Sequence, residues 1–252
     1  MTRFSGAQPI SIERRHFDIL LKNRYRVCEK TDGVRHFLIR EDSEPYIINR
    51  ALVKTIVRIR VPKDTYLDGE LIGDEFCVYD AMMIGGEDLC ELDLISRMQK
   101  AKDLVKNIPM VKGGFKLSIK NHIPLDQMNN LDPLGAGKDG LIFTPVDEPI
   151  RTGTHETLFK WKTRDQNTVD FMYDREGYLC VQGSAVSKAN FQAPVGSIIE
   201  CKFEKGVWIP VKMRTDKTYP NNRRTFERTL VNIREDIKFT ELISLGKNAL
   251  QG

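Results

Sequence analysis

At 252 residues, 40% hydrophobic and 29% charged, the chain has an ordinary globular composition and enough length to bury a full core in one large domain or two modest ones. Lys and Arg number 39 against 35 Asp and Glu, a net charge of +4, too slight a bias to mark a nucleic-acid binder by charge alone. The five cysteines (Cys28, Cys77, Cys90, Cys180, Cys201) show no C-x-x-C spacing, which argues against zinc and a disulfide framework and for a reducing compartment. No apolar run approaches the roughly 20 residues of a membrane span, and MTRFSGAQPI lacks a signal-peptide apolar region, so the expectation is an intracellular, soluble protein.

Apolar positions at Ile12, Phe17, Leu20 and Leu21 predict a partly helical stretch over 11–23. From Tyr25 the texture turns to short strand-like runs: YRVCEK, RHFLIR, EPYIINR, LDGELI and EFCVYDAMMI, separated by Asp-Gly, Gly-Asp and Asp-Ser-Glu-Pro turns. Leu92, Ile95, Met98 and Val105 predict a helix over 89–106, after which FKLSIK and GLIFTP resume the strands. Beyond Thr163, the runs TVDFMYD, GYLCVQG, GSIIECKF and VWIPVKMR, within roughly sixty residues, suit a small β-barrel of the OB type. Ile237, Leu242, Ile243 and Leu245 predict a last helix over 235–250. The expected architecture is a mixed α/β first domain, a small barrel, and a final helix returning to the first domain.

Taken alone, EKTDGVRH at 29–36 is a hairpin turn with a solvated lysine. Its significance comes from the segments downstream of it, in the order LDGELI, EFCVYDAMMI, KDGLIFTP, LFKWK and WIPVKMRTDKTYPN. This series resembles the motifs of the covalent nucleotidyltransferases, the superfamily of capping enzymes and ATP-dependent DNA and RNA ligases. Within it the match is to the capping guanylyltransferases, particularly the compact ones of large DNA viruses, and it runs from QPISIERRHF to RTLVNIREDIKFTELI. The resemblance implies an α+β fold: a DNA ligase-type, ATP-grasp-like nucleotidyltransferase domain with antiparallel sheets over 1–166, an OB-fold barrel over 167–237, and a terminal helix at 238–252 packing back on the first domain.

The implied chemistry is transfer of GMP from GTP to a lysine, then to the 5′-diphosphate end of RNA. The nucleophile must be a neutral amine, whereas an ordinary lysine, of pKa about 10.4, is almost wholly protonated at neutral pH. In the family this lysine belongs to K-x-D-G, here Lys30 with Thr31, Asp32 and Gly33. Lys160 and Lys162 match the phosphate-facing lysines, and two residues apart on a strand they would share a face. Asp139 matches the acid beside the divalent metal, and Glu70 one near the ribose or metal; hard carboxylate oxygens suit Mg²⁺ or Mn²⁺. Arg35 and Arg50 match arginines around the ribose. Tyr79 and Ile142 fall where the family sandwiches guanine, and Thr31 with Lys120 (Lys116 in reserve) would read its O6. Arg214, Asp216 and Lys217 match the R-x-D-K element that closes over the β and γ phosphates, with Lys212 where many members have arginine, a point charge in place of a planar fork. Asp170 matches an acid at the barrel entrance, a hinge contact or indirect metal ligand.

Two other readings share parts of this pattern: an ATP-dependent polynucleotide ligase with the same lysine chemistry, and an inactive RNA-binding relative. Lys-Trp-Lys and RTDKTYPN favour capping over ligation, and every motif retains its charged member. The four histidines (His16, His36, His122, His155) show no metal spacing. LGAGKDG lacks phosphate-loop spacing, and neither a phosphatase loop nor a methyltransferase glycine-rich unit is present. RNA triphosphatase and cap methyltransferase activities are therefore expected on partner chains or on missing domains.

Overall fold

Short runs rich in β-branched and aromatic residues build strands along much of the chain, and the computed structural model describes residues 6–109, 111–112 and 114–249. In order, the elements are β1 (Ala7–Ser11), α1 (Phe17–Lys22), β2 (Tyr25–Thr31), β3 (Val34–Arg40), β4 (Tyr46–Asn49), β5 (Lys54–Ile56), β6 (Thr65–Ile72), β7 (Glu75–Ile84), β8 (Glu87–Asp88), α2 (Leu94–Asn107), β9 (Lys116–Ile119) and β10 (Ile123–Pro124). Next come β11 (Lys138–Pro145), β12 (Gly153–Trp161), β13 (Thr168–Tyr173), β14 (Tyr178–Val181), β15 (Ser184–Lys188), β16 (Ile198–Glu204), β17 (Val207–Met213), α3 (Arg223–Glu235) and α4 (Phe239–Gly246). The fold is mixed α+β, with antiparallel pairs such as β2–β11, β3–β6 and β13–β16 in its three sheets; β9 joins β7 in parallel.

The chain divides into two compact units, one of Met1–Ile10, Asp18–Lys160 and Ile243–Gly252, the other of Ser11–Phe17 and Trp161–Leu242. The first holds a five-stranded sheet, β1-β12-β11-β2-β10, and a seven-stranded sheet, β5-β4-β3-β6-β7-β8 with β9 on β7. Leu38, Leu67, Phe76 and Val78 of the larger sheet share a core with Ala101 of α2. In the smaller sheet Val27, Leu141, Phe143 and Phe159 are buried, each contributing on the order of 1.5–3 kcal/mol. No helix among the described residues is long and apolar enough to cross a membrane, and all five cysteines are free thiols.

The second unit contains the sheet β15-β14-β13-β16-β17, an open order among the described residues. Its apolar face is covered by α3, whose Phe226, Leu230 and Ile233 join Phe171, Ile199 and Trp208. Trp208 lies edge-on to Phe171 at 4.8 Å. Trp161 stacks on Phe239 and donates its indole N–H to Ile237 O at 2.8 Å.

Helix boundaries differ from the sequence expectation. The helix expected over 89–106 begins at Leu94, because Leu89 and Leu92 form a turn and Asp93 caps the first helical turn, accepting from Ser96 N at 2.8 Å. Its buried face is Leu94, Arg97, Met98 and Ala101; Ile95 is exposed. Arg97 occupies the core because Asp80 receives it through two bonds of 2.8 and 3.0 Å. The helix expected over 235–250 is α4, and Leu250 lies outside the described residues. It is preceded by α3, which the apolar spacing did not predict. Asp236, in the left-handed conformation at φ 43°, separates the two.

Candidate active site

Lys30 stands one residue before the end of β2. The opposing strand β11 keeps register with it at Lys138↔Thr31 and again at Leu141↔Glu29, leaving one extra residue on β11. Gly140, at φ 140°, adopts a conformation that L side chains rarely take, which is what this bulge requires. The result is Asp139 beside Lys30, with Nζ and Oδ1 2.6 Å apart and side chains only 20% and 14% exposed. Register then pairs Ile142 with Cys28, so half-buried Ile142 shares a face with Cys28 and Lys30.

The Lys-Thr-Asp-Gly segment is not a hairpin. It carries the chain from β2 in one sheet to β3 in the other, and Asp32 N donates to Gly137 O at 2.9 Å on the way. Gly33 is small because β6 passes close: a Cβ there would stand 3.0 Å from Leu71 O. Thr31 Oγ1 donates to Glu70 and accepts from Lys120 Nζ at 2.9 Å. Lys120 is 9% exposed, whereas the side chain of Lys116 is 64% exposed and pairs with Glu75. Of the two lysines weighed for the base, only Lys120 joins the group around Thr31.

His122 sits behind Lys120, bonded to its backbone and buried enough to be pushed down to about 4; its Nδ1 meets no partner among the described residues. An unfolded histidine titrates near 6.5, so between about 4 and 6.5 the unfolded chain holds the extra proton and stability falls as pH drops. The loss is on the order of 3 kcal/mol across that window. His122→Phe should flatten it, as read from urea midpoints at pH 7 and pH 5; a variant retaining the wild-type pH slope would assign the effect elsewhere.

Arg35, on β3, presents Nε and Nη2 to both oxygens of Asp68 at 3.0 and 2.5 Å, while its Nη1 donates to Ala7 O at 2.7 Å. Burial alone would lower Arg35; the Asp68 carboxylate outweighs it and holds the guanidinium above its ordinary value. Asp68 is 5% exposed and also receives Tyr79, whose ring stands 5.4 Å from the Arg35 carbon. Tyr79 is itself the extra residue of a bulge, since Asp68 pairs with Asp80 but Gly69 with Val78. Arg50, just past β4, reaches Gln8 Oε1 at 2.7 Å and lies within the fields of Arg35, Tyr79, Asp68 and Glu70. Sequence reasoning singled out neither Asp68 nor Gln8. The acid alternation of Leu-Asp-Gly-Glu was a signal for Asp68; Gln8 offered none.

Lys160 is on β12, next to β11, but the strand ends at Trp161, so the shared-face argument does not extend to Lys162. Lys160 belongs to the first unit and Lys162 to the second. The remaining predicted residues form an ion-pair network inside the second unit. Asp170, 4% exposed, receives Arg214 at 3.1 Å and Lys217, and its backbone is tied at both ends to Asn221. Arg214 also grips Asp216 by two bonds of 2.8 Å, holding that carboxyl well below the usual range, and it reaches Glu200 at 3.5 Å. Lys212 pairs with Glu200 at 3.5 Å.

Asp139, Glu70 and Asp170 were the acids assigned to a metal. No cluster of three or more ligating side chains exists among the described residues. The hard oxygens of Asp139 beside Lys30 nevertheless suit Mg²⁺, which commonly takes one or two carboxylates together with waters and substrate phosphates.

Known proteins resemble the chain along the same lines. The family model described as "mRNA capping enzyme, catalytic domain" matches residues 1–164, and "mRNA capping enzyme, C-terminal domain" matches 149–243. An mRNA-capping enzyme subunit alpha of Schizosaccharomyces pombe is 31% identical over 216 residues, covering 69% of this chain and 54% of that protein. Its counterpart in Eremothecium gossypii is 32% identical over 219 residues, covering 67% and 47%. The mRNA-capping enzyme of Danio rerio is 27% identical over 273 residues, covering 86% and 45%. The chain thus spans about half the length of these curated relatives. Among solved structures, one named Pmar-Lig_PreS3 shares the fold with a TM-score of 0.52 at 14% identity, covering 82% of this chain and 55% of that one.

Proposed function

The chain belongs to the mRNA capping enzyme family, and from that premise we propose that it is a GTP:RNA guanylyltransferase that carries GMP on Lys30. The observation that carries the reading is Lys30 itself, held on β2 against Asp139 with Thr31, Lys120 and Glu70 linked beside it. In the first step the Lys30 amine gives up a proton and bonds to the α-phosphorus of GTP as the bond to pyrophosphate breaks. In the second, the terminal oxygen of an RNA 5′-diphosphate attacks that phosphorus, the phosphorus–nitrogen bond breaks, Lys30 regains its proton, and the capped end leaves.

The chain's own groups position and neutralise. Thr31 and Lys120 would read guanine O6, Tyr79 and Ile142 would hold the ring, and Arg35, Arg50 and Glu70 would line the ribose. Lys160 and Lys162 would face the phosphates. Arg214 and Lys217, with Asp216, would meet the departing pyrophosphate after exchanging partners with Asp170. Asp139 would hold Mg²⁺ or Mn²⁺, whose charge, when present, offsets that of the phosphates. In this reading 1–166 is the nucleotidyltransferase domain, 167–237 is an OB fold carrying the last motif, and 238–252 belongs with the first. The motif series resembles that of capping enzymes of large DNA viruses, and the protein would work inside the cell, with triphosphatase and methyltransferase supplied by other chains or domains.

Incubation with α-labelled GTP and Mg²⁺ or Mn²⁺ should label the denatured protein, and diphosphate-ended RNA or pyrophosphate should discharge the label. ATP should give none. Labelling from ATP in place of GTP would move the assignment to a polynucleotide ligase.

A further inference from the structure

The first strand lies outside the motifs that carry the chemistry, yet it reaches both arginines of the ribose group. Ala7 O accepts from Arg35 Nη1, and Gln8 Oε1 accepts from Arg50 Nη2, each at 2.7 Å. The Gln8 amide has a defined orientation: Nε2 donates to Gly6 O at 3.1 Å, which turns the oxygen toward the guanidinium. Its backbone is constrained as well. Pro9 comes next and confines Gln8 to extended conformations. As the outer strand of its sheet β1 tolerates that proline, and it lies beside β12, the strand of Lys160.

We infer that Gln8 is a positioning residue of the nucleotide site, holding the Arg50 guanidinium toward the sugar and phosphates of a bound nucleotide. The amide is chemically apt. A carboxylate would pin Arg50 as firmly but cancel the charge an anionic ligand needs, whereas a neutral oxygen orients the fork and leaves that charge in place. Arg50 requires a tether because it sits in the turn after β4, where both burial and the like charge of Arg35 disfavour it. Asn49 Oδ1 fixes the turn's backbone by accepting from Ala51 N and Val53 N, so Gln8 supplies what the turn does not, a hold on the side chain.

This inference rests on the reading that Arg50 faces the nucleotide, and the test separates the two. GTP affinity and the GTP dependence of Lys30 adduct formation are measured for the full chain, Gln8→Ala, Gln8→Glu, Arg50→Ala and the Gln8→Ala/Arg50→Ala pair. Gln8→Ala should weaken GTP binding and raise KM about three- to tenfold, with the maximal rate within about twofold and the unfolding midpoint unchanged. Gln8→Glu should also raise KM, because the bond survives but the charge does not. In the Arg50→Ala background Gln8→Ala should add nothing. An equal effect of Gln8→Ala with and without Arg50, or no effect where Arg50→Ala does weaken GTP, overturns the role of Gln8. Arg50→Ala with unaltered GTP affinity refutes instead the placement of Arg50 on the nucleotide, and Gln8 falls with it. GTP binding that depends on Gln8 without any adduct would leave Gln8 standing and remove the transfer reaction.

Discussion

Lys30→Arg is expected to fold as the wild type does and to form no nucleotide adduct. The guanidinium keeps the charge that pairs with Asp139, so the local ion pair survives, but it stays protonated and offers no lone pair to phosphorus. Lys30→Ala should be equally inactive, with the further cost of losing the ion pair to Asp139. In both, labelling from α-labelled GTP should drop by at least about 10⁴-fold, the scale on which nucleophile removal acts, while GTP still binds. Retained labelling in Lys30→Arg would place the nucleophile elsewhere, and peptide mapping of the labelled residue would say where.

Asp68→Ala should produce a large stability loss in the first unit. Asp68 and Arg35 are buried together, at 7% and 9% side-chain exposure, through a two-point fork. Removing one member of such a pair takes the two-point carboxylate partner from a buried charge, at a cost of about 3–5 kcal/mol, against a total domain stability of only about 5–15 kcal/mol. The urea midpoint by circular dichroism should fall accordingly, with Asp68→Asn intermediate because the amide can still accept one bond. Replacing Arg35 by Met in the Asp68→Ala background should recover part of the loss, since the buried guanidinium is then removed with its carboxylate. A midpoint equal to wild type in Asp68→Ala would mean the pair is solvated and contributes nothing. Tyr79 shares Asp68, so the same variant should loosen the ring proposed to hold the base.

What the sequence revealed and what it hid divide along physical lines. Strands β2, β3, β6, β7, β11, β13, β16 and β17 were legible because runs of six or more residues rich in β-branched and aromatic side chains lie between turn residues. The pairs β8 and β10 and the exposed strands β5 and β15 were not, since two to five residues without a buried face carry no period. Helix α3 was missed because its apolar residues, Phe226, Leu230 and Ile233, are set among arginines, asparagine and glutamates that mask the stripe. At the site, motif matching singled out Lys30, Asp139, Thr31 and Glu70, with Lys120 from a looser match; the structure pairs Lys30 with Asp139 and bonds Thr31 to Glu70 and Lys120. The bulges at Gly140 and Tyr79, which set the facing of Asp139 and the tyrosine ring, depend on strand pairing and leave no mark on a single sequence. Asp68 was hidden for a related reason: which acid of Leu-Asp-Gly-Glu is buried depends on an arginine 33 positions away.

The two tryptophans, Trp161 and Trp208, both fall in the second unit, one bound to Ile237 and the other packed on Phe171. Trp208 emission is therefore a reporter of the second unit, whereas Trp161 closes β12, a strand of the first unit's sheet. In a Trp161→Phe variant the emission would come from Trp208 alone, and a spectral shift on adding a ligand would register rearrangement within the core beneath α3.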